Sequence, residues 1–464
     1  MLTSLDFLAT GQQWPPVSET ERLKLYRDNK LLFKGSHDKV FKDWVRILRE
    51  DQKAILKLIL NWNKRLTLLW ADLLLSEPPY ISAGKPESPE QAVIDRYIDN
   101  KLLNTAYEVA IDISRFGHGV FKTRYDGTKA VIEGQPPEYW FPVFNPDNAK
   151  EIVCHVFAWT FEKTESLRIG LGARKNKYLK CEIHEPGKIT TRLYMMNGER
   201  IGSQVEKDAV VATGIKAMPV VVVSNIATTD SIMGLDDYTD LDSIIQEIET
   251  RLAQISRVLD KHSDPNMYGP DTALEEDPKT GQATFKGGGK YFPISEGDQI
   301  PGYVVWEGQL EAAFRQIELL MSQLFMLSET SAACFGEMKA GLAESGSALK
   351  RLMMAPLAKA ARIRMNFDPG LREIIKIASE LEVAQGMTGS VKIESLGIEW
   401  NDGLPEDNTE TIQNETTAYG TGITSLESSV KRTYGIRGKA LQEELDKIKA
   451  DRPETPEITP VVEE

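Results

Sequence analysis

Residues 234–262, GLDDYTDLDSIIQEIETRLAQISRVLDKH, form an amphipathic segment of unusual length. Its apolar side chains recur every three or four residues, and neither glycine nor proline occurs between Leu235 and Asp264. This spacing predicts one helix, which at 1.5 Å per residue would be about 40 Å long. The polar face is acidic in its first half and mixed in its second, an order that suits the helix dipole.

A second amphipathic segment, residues 309–330, follows after an interval of quite different composition. That interval, 263–308, is rich in turn-forming pairs and carries short strand-like pieces at 283–286, 291–294 and 303–306. The simplest geometry is an antiparallel pair of long helices with a small β-rich excursion at the far tip.

The chain before this pair divides into helical and β-rich parts. Helices are predicted at 53–76, where Glu77-Pro78-Pro79 ends the helix, and at 90–115. From 120 to 223, short β-rich runs alternate with turn signals such as Asp126-Gly127 and Asn197-Gly198, which predicts an antiparallel sheet.

The chain after the pair begins with a glycine-rich loop, 332–346. A long helix is predicted from 347 to 384, with a kink at Pro356. Asp368-Pro369-Gly370 is a candidate for a second break in the same helix. A strand at 391–400, weakly apolar helices over 406–450 and a disordered acidic tail complete the chain. The fold class is therefore α+β with several domains.

Composition excludes several classes of protein. The 464 residues include only three cysteines, so no disulfide framework is expected. No apolar run is long enough for a membrane helix, and no membrane partner is predicted. A net charge of −14 argues against a general DNA coat, because phosphate neutralisation requires basic residues. It remains compatible with a conduit in which carboxylates limit adhesion of DNA.

Motifs for catalysis or metal binding are weak. The best metal candidate joins Cys154 and His155 with Cys181 and His184, but residues three apart on a strand point to opposite faces. Residues 341–347 have the glycine spacing of a phosphate loop yet lack its lysine. We therefore predict no metal, no cofactor and no enzymatic activity.

The residues to consider for nucleic-acid contact lie in and after the glycine-rich loop. Lys339 is in the loop, and Lys350, Arg351, Lys359, Arg362 and Arg364 follow on the predicted helix. The alternative is an ordinary solvated helix of mixed charge. The absence of a recognition-helix or zinc-finger pattern predicts binding without sequence specificity.

Several segments, in order along the chain, resemble portal proteins of tailed double-stranded-DNA bacteriophages, especially long-tailed phages of Gram-positive hosts. The similarity covers most of the chain, from about Tyr26 to Pro405. The segments are 61–65, 69–72, 77–79, 136–142, 229–231, Gly234, 240–243, 251–255, 350–357 and 400–405.

The resemblance implies a ring of about twelve subunits, a dodecamer in the virion, at one vertex of the capsid. It also implies named parts with these boundaries: wing 1–233, first stem helix 234–262, clip 263–308, second stem helix 309–331, tunnel loop 332–346, kinked long helix 347–390, returning wing strand 391–405, crown 406–450 and disordered tail 451–464.

The resemblance further implies sites and partners. Double-stranded DNA would pass Glu337, Lys339, Glu344, Lys350 and Arg351 of the tunnel loop and its flank. The clip, with Lys279, Lys286, Lys290 and Tyr291, would dock the terminase large subunit and later a head-completion or adaptor protein. Major capsid and scaffolding proteins are expected as further partners, with assembly in the host cytoplasm and a final place in the virion.

Two alternatives remain at this point. A tail or baseplate component would have another symmetry and no central channel. A nucleotide-dependent enzyme would rest only on the defective loop at 341–347, and ATP turnover by the pure protein would reveal it.

Overall fold

The computed structural model describes most of the chain as two compact units, each built from separate stretches. The first comprises Met1–Phe33, Asn63–Thr239 and Glu329–Glu464, and the second comprises Lys34–Trp62 and Asp240–Ser328. The described residues are 2–41, 58–166, 173–229, 231–263, 310–337, 351–401 and 408–451, with short pieces at 267–268, 274–276, 283–285, 297, 300 and 302–303.

Ten α-helices are named among the described residues, besides short 3-10 helices. They are α1 (Thr20–Phe33), α2 (Trp62–Leu75), α3 (Pro89–Asp99), α4 (Leu102–Phe116), α5 (Asp242–Ser263), α6 (Leu310–Leu327), α7 (Met354–Ala384), α8 (Asn408–Gly420), α9 (Leu426–Tyr434) and α10 (Gly438–Asp451).

The strands form small antiparallel sheets. They are β1 (Tyr80–Ser82), β2 (His118–Tyr125), β3 (Ala130–Gln135), β4 (Trp140–Asn145), β5 (Asn148–Ser166), β6 (Ala173–Glu185), β7 (Lys188–Asn197), β8 (Arg200–Gln204), β9 (Ala209–Ala212), β10 (Val220–Ser224), β11 (Met267–Tyr268), β12 (Leu274–Glu276), β13 (Ala283–Phe285), β14 (Gly302–Tyr303) and β15 (Gly397–Glu399).

The mixed helical and antiparallel architecture confirms the α+β prediction. A six-stranded sheet has the order β4-β5-β6-β7-β8, with β9 also paired to β7, and a three-stranded sheet has the order β10-β2-β3. The single helix predicted at 90–115 is instead two helices, α3 and α4. Asn100 and Lys101 separate them, and Lys101 has a left-handed backbone with φ of 68°.

The core of the first unit forms where α7 crosses the three-stranded sheet. Phe367, Leu371 and Ile374 of α7 are fully buried in one cluster with Phe121 and Val223. The packing is close enough that a Cβ on Gly370 would overlap the Val223 side chain, so glycine is required there.

The second break considered at 368–370 does not occur, and the kink at Pro356 stays a prediction. The described helix α7 is continuous through Pro369, and Pro356 lies in its first turn. A proline in the first turn removes no hydrogen bond, because the amide there has no helical acceptor. At Pro369 the burial of the following turns maintains the helix despite the lost bond.

The predicted strand at 391–400 is mostly wrong. Only Gly397–Glu399 is a strand, paired with Tyr80–Ser82 of β1. Downstream, α8, α9 and α10 confirm the helices predicted over 406–450, and Val430, Leu441 and Leu445 form a small separate core. The predicted tail, apart from Asp451, lies outside the described residues.

The second unit contains the predicted pair of long helices. α5 and α6 pack against each other, and β11 pairs with β14 and β12 with β13 in the chain between them. The first helix begins at Asp242, eight residues later than predicted. The Asp236 carboxylate accepts hydrogen bonds from the amides of Tyr238 and Thr239, each 2.8 Å long, which favours a turn over a helix.

A buried ion pair in the first unit explains why the chain before α5 is not helical. The Lys359 Nζ lies 3.0 Å from Asp237 Oδ1, with both side chains under a tenth exposed. The same Nζ lies 4.3 Å from the centre of the Trp70 ring, and Asn225 Nδ2 donates to Asp237 Oδ1 at 3.0 Å. The pair therefore ties α7 and α2 to the segment that leads to α5.

Neighbouring contacts hold the same segment. The Tyr238 and Thr67 hydroxyls are 2.7 Å apart, and the Asp237 amide donates to the Ser114 carbonyl at 2.9 Å. Gly117 and Gly234 pass so closely that a Cβ on either would overlap the other's carbonyl oxygen. Backbone and polar contacts thus hold the segment around Asp237 and Tyr238 in place.

Three buried histidines lie on the sheets of the first unit: His155 and His184 in the six-stranded sheet and His118 on β2. His155 on β5 is directly opposite His184 on β6, and the Trp140 Nε1 donates to His155 Nδ1 at 3.0 Å. Burial lowers the pKa of His118 and of His155 to about 3. It also lowers the pKa of His184. These imidazoles are therefore neutral in the folded protein.

We predict that Lys359→Met destabilises the first unit by about 3–5 kcal/mol, because the Asp237 carboxylate is left buried without a counter-ion. The matched control is Lys376→Met, at a half-buried lysine of the same helix. Chemical denaturation followed by circular dichroism measures both. Equal stability of Lys359→Met and the parent would contradict the role of the pair.

We also predict that acidification destabilises the first unit. Below pH 6.5 the unfolded chain protonates His118 and His155, whereas the folded chain does not until about pH 3. At pH 5.5 each histidine then costs about 1.4 kcal/mol of unfolding free energy. Burial raises the pKa of Asp112 to about 6, so at pH 5.5 the folded chain holds a proton there that the unfolded chain has lost. This stabilises the folded state by about 1 kcal/mol and offsets part of the loss from the histidines.

The expected net loss between pH 7.5 and pH 5.5 is about 2 kcal/mol. His118→Gln should remove about half of the histidine contribution, so its denaturation midpoint should vary less with pH than that of the parent. An unchanged pH dependence in His118→Gln would show that this histidine is protonated in the folded state.

Candidate nucleic-acid interface

The segment predicted to contact DNA is described only at its two ends. Glu337 and Arg351 are described and both are exposed, whereas Lys339, Glu344 and Lys350 lie outside the described residues. The four residues predicted for docking, Lys279, Lys286, Lys290 and Tyr291, also lie outside them. The structure therefore locates the flanks of the loop.

Specific contacts hold these two flanks together. A short 3-10 helix, Ala332–Phe335, ends at Gly336 in the left-handed conformation, with φ of 84°. The Cys334 Sγ lies 3.5 Å from the Met353 Sδ, and Ser331 Oγ lies 3.4 Å from the same cysteine sulfur. Cys334 and Met353, nineteen positions apart, are thus in contact. The two ends of the segment between them are therefore close together.

An ion pair strengthens this junction. The Arg362 guanidinium on α7 lies 2.5 Å from the Glu329 carboxylate, and Glu329 has a left-handed backbone with φ of 59°. A non-glycine residue in that region is strained and persists only where contacts hold it. Arg362 therefore fixes the start of the glycine-rich segment to the first half of α7.

Two of the basic residues predicted for nucleic-acid contact have structural partners instead. Lys359 is buried in the pair with Asp237, and Arg364 lies 5.2 Å from the Trp400 ring and donates to the Asn401 carbonyl at 2.9 Å. Of the five basic helix residues, Arg351 is exposed and Arg362 is exposed but paired with Glu329. The basic surface is thus smaller than the sequence predicts.

A feature that the sequence prediction missed lies on the exposed face of α7. Met354, Ala358, Ala361 and Met365 follow one another at helical spacing, and the two methionines are 72% and 75% exposed. The opposite face of the same helix is buried. An exposed apolar stripe over the first part of a helix whose other face is buried indicates a second packing partner, and the spacing of the two methionines could have revealed it.

The rejected metal candidate has the predicted arrangement. Cys154 and Cys181 belong to one apolar cluster of the six-stranded sheet, while His155 and His184 lie on the other face beside Phe157 and Trp140. Burial raises the pKa of the Cys154 thiol to about 11 and of the Cys181 thiol to about 12. Both are therefore neutral thiols, and the prediction that the cysteines and histidines lie on opposite faces is confirmed.

Two wider surveys cover only the residues that the structure describes. Among them, no group of three or more histidine, cysteine, aspartate or glutamate side chains is arranged to hold a metal ion. None of their helices is both long and apolar enough to cross a membrane.

Comparisons with known proteins give a family and several distant structures. No curated protein sequence matches this chain significantly. A subunit of the neck of a native GTA particle, computed with C12 symmetry, is 12% identical, with 81% of this chain and 90% of that chain covered and a TM-score of 0.40. A subunit of the neck of an empty GTA particle, computed with C6 symmetry, is 10% identical, with 84% and 95% covered and a TM-score of 0.44.

A chain from the virion of a native gene transfer agent particle is 13% identical, with coverage of 81% and 90% and a TM-score of 0.39. The family model described as phage portal protein, SPP1 Gp6-like, matches residues 18–457. The match spans nearly the whole sequence, and the chain therefore belongs to the SPP1 Gp6-like family of phage portal proteins.

Proposed function

We propose that this chain is one subunit of a closed ring at a single capsid vertex, through which double-stranded DNA is packaged, retained and ejected. The observation that carries the proposal is the match to the portal family over residues 18–457. The virion is its place of action, after assembly in the host cytoplasm.

The parts of the ring are assigned from the order of elements. α5 and α6 serve as the stem, and the chain between them, with β11 to β14, serves as the clip. The β-rich stretch and the N-terminal helices serve as the wing, α7 as the long helix and α8 to α10 as the crown. The segment 332–346 serves as the tunnel loop.

The loop makes passing contacts with DNA in this proposal. Its flanks are held by the Cys334–Met353 contact and the Arg362–Glu329 pair, so both its ends are fixed relative to α7. Lys339, Lys350 and Arg351 attract phosphates, whereas Glu337, Glu344 and the overall charge of −14 limit adhesion. Weak contacts of this kind let DNA slide.

Ring closure requires two different faces of each subunit to meet, since a ring has head-to-tail interfaces. We assign the exposed stripe Met354, Ala358, Ala361 and Met365 to this interface, with a second copy of the chain as its partner. Small side chains between the methionines allow close approach of a neighbouring helix.

The partners of the clip follow from the same family assignment. Lys279, Lys286, Lys290 and Tyr291 would dock the terminase large subunit, which hydrolyses ATP, and later a head-completion protein. Major capsid and scaffolding proteins would contact the outside of the ring. The portal itself supplies a channel and docking surfaces, and pure protein should show no ATP turnover.

We predict that the double substitution Met354→Glu/Met365→Glu prevents ring formation and leaves the subunit folded. Burial of each methionine side chain should stabilise every interface of the ring by about 1.5–3 kcal/mol. The two glutamates would remove this contribution and place two charges there instead. Native mass spectrometry measures assembly and circular dichroism measures folding. The matched control, Met354→Leu/Met365→Leu, should assemble like the parent. Intact rings of the glutamate variant would place the interface elsewhere.

We also predict that Arg351→Gln weakens the salt-dependent association of rings with double-stranded DNA. Loss of one phosphate contact should lower the slope of log K against log salt by about one per contacting subunit. The control is Lys449→Gln, at an exposed lysine of α10. The assignment of Arg351 to the DNA-contacting flank would be contradicted if Arg351→Gln left this slope unchanged while Lys449→Gln lowered it.

A further inference from the structure

The N-terminal residues 2–16 lie across the six-stranded sheet as a strap that contains a short 3-10 helix, Leu5–Leu8, between its two ends. At one end, Leu2 forms a parallel bridge with Val143 of β4, and the Phe144 amide donates to the Leu2 carbonyl at 2.9 Å. β4 is the last strand on that side of the sheet, so the strap pairs with an edge that would otherwise be open.

The other end of the strap pairs with β8, at the opposite end of the strand order. The Gly11 amide donates to the Ile201 carbonyl at 2.7 Å, and the Ile201 amide donates to the Gln12 carbonyl at 2.9 Å. The Trp14 amide donates to the Glu199 carbonyl at 2.8 Å. One segment thus satisfies backbone groups of two separate edge strands.

Apolar side chains anchor the strap between these ends. Leu2, Leu8 and Trp14 are each less than a tenth exposed and belong to one cluster with Phe141, Val143, Cys154, Ile183 and Ile201. The Trp14 and Phe141 rings are 4.8 Å apart, and Phe7 lies 6.5 Å from Trp14. Removal of the strap would expose this apolar face and both edges together.

The strap precedes the part of the chain that defines the family, because the portal match begins at residue 18. Its contacts are those of a bound peptide: backbone pairing gives affinity, and buried side chains at fixed spacing give specificity. We propose that this sheet face is a docking groove for a peptide with apolar anchors, occupied in cis by residues 2–16 of the same chain.

This inference does not depend on the ring. A protease recognition sequence inserted between Val17 and Ser18, both exposed, would allow the strap to be cut in the folded full-length protein. After cutting, the fragment should co-elute with the protein in gel filtration without denaturant. A fluorescent peptide of residues 1–16 should then exchange into the cut protein and not bind the uncut parent, whose groove is occupied.

The matched control peptide carries Leu8→Ser and Trp14→Ser and should bind the cut protein about 100-fold more weakly or worse, since two buried anchors are lost. Immediate release of the fragment on cutting, or equal binding of both peptides, would overturn the proposal. Binding of the peptide to uncut parent would also overturn it, because the groove would then be empty.

A crosslink tests the cis arrangement without any insertion. In Leu2→Cys/Val143→Cys, the bridged pair should oxidise to a disulfide within one chain, seen as faster migration of a monomer band on non-reducing gels. The single variant Leu2→Cys is the control. Dimers and a ladder of higher species specific to the double variant would show that straps are exchanged between copies, and the cis proposal would fail.

Discussion

The buried pair of Lys359 and Asp237 is the interaction on which the first unit most depends. Two charges removed from water are costly unless they meet at good geometry, and here the 3.0 Å contact is supported by the Trp70 ring and the Asn225 amide. These partners come from α2, α7 and two connecting segments. The pair therefore acts only when the whole unit is assembled.

This constraint also determines where the long helix α5 begins. The segment around Asp237 is committed to contacts with Lys359, Ser114 and Asn225, so the helix starts only at Asp242. The Gly117 and Gly234 contact leaves no space for rearrangement there.

Features that depend on local sequence were predicted well. The two long helices, the antiparallel sheet and the C-terminal helices follow from periodicity and turn residues, and their bounds were correct to within a few residues except at the start of α5.

The predictions that failed share a cause. Lys359 was interpreted as a surface cation, 368–370 was considered as a second helix break and 391–400 was predicted as a strand. Each outcome depends on packing with distant residues, namely Asp237, Val223 and Tyr80. For the proposed DNA-contact site, the sequence pointed to Glu337 and Arg351, both of which are exposed, but it could not show that Arg362 pairs with Glu329.

The proposed assembly is a closed ring with a channel, and membership of the portal family supports it. Electron microscopy of the purified full-length protein tests this claim most directly. The account predicts ring-shaped particles of about twelve copies with a central hole, in which α7 of each subunit meets its neighbour. A compact dimer, or an assembly without a channel, would contradict it.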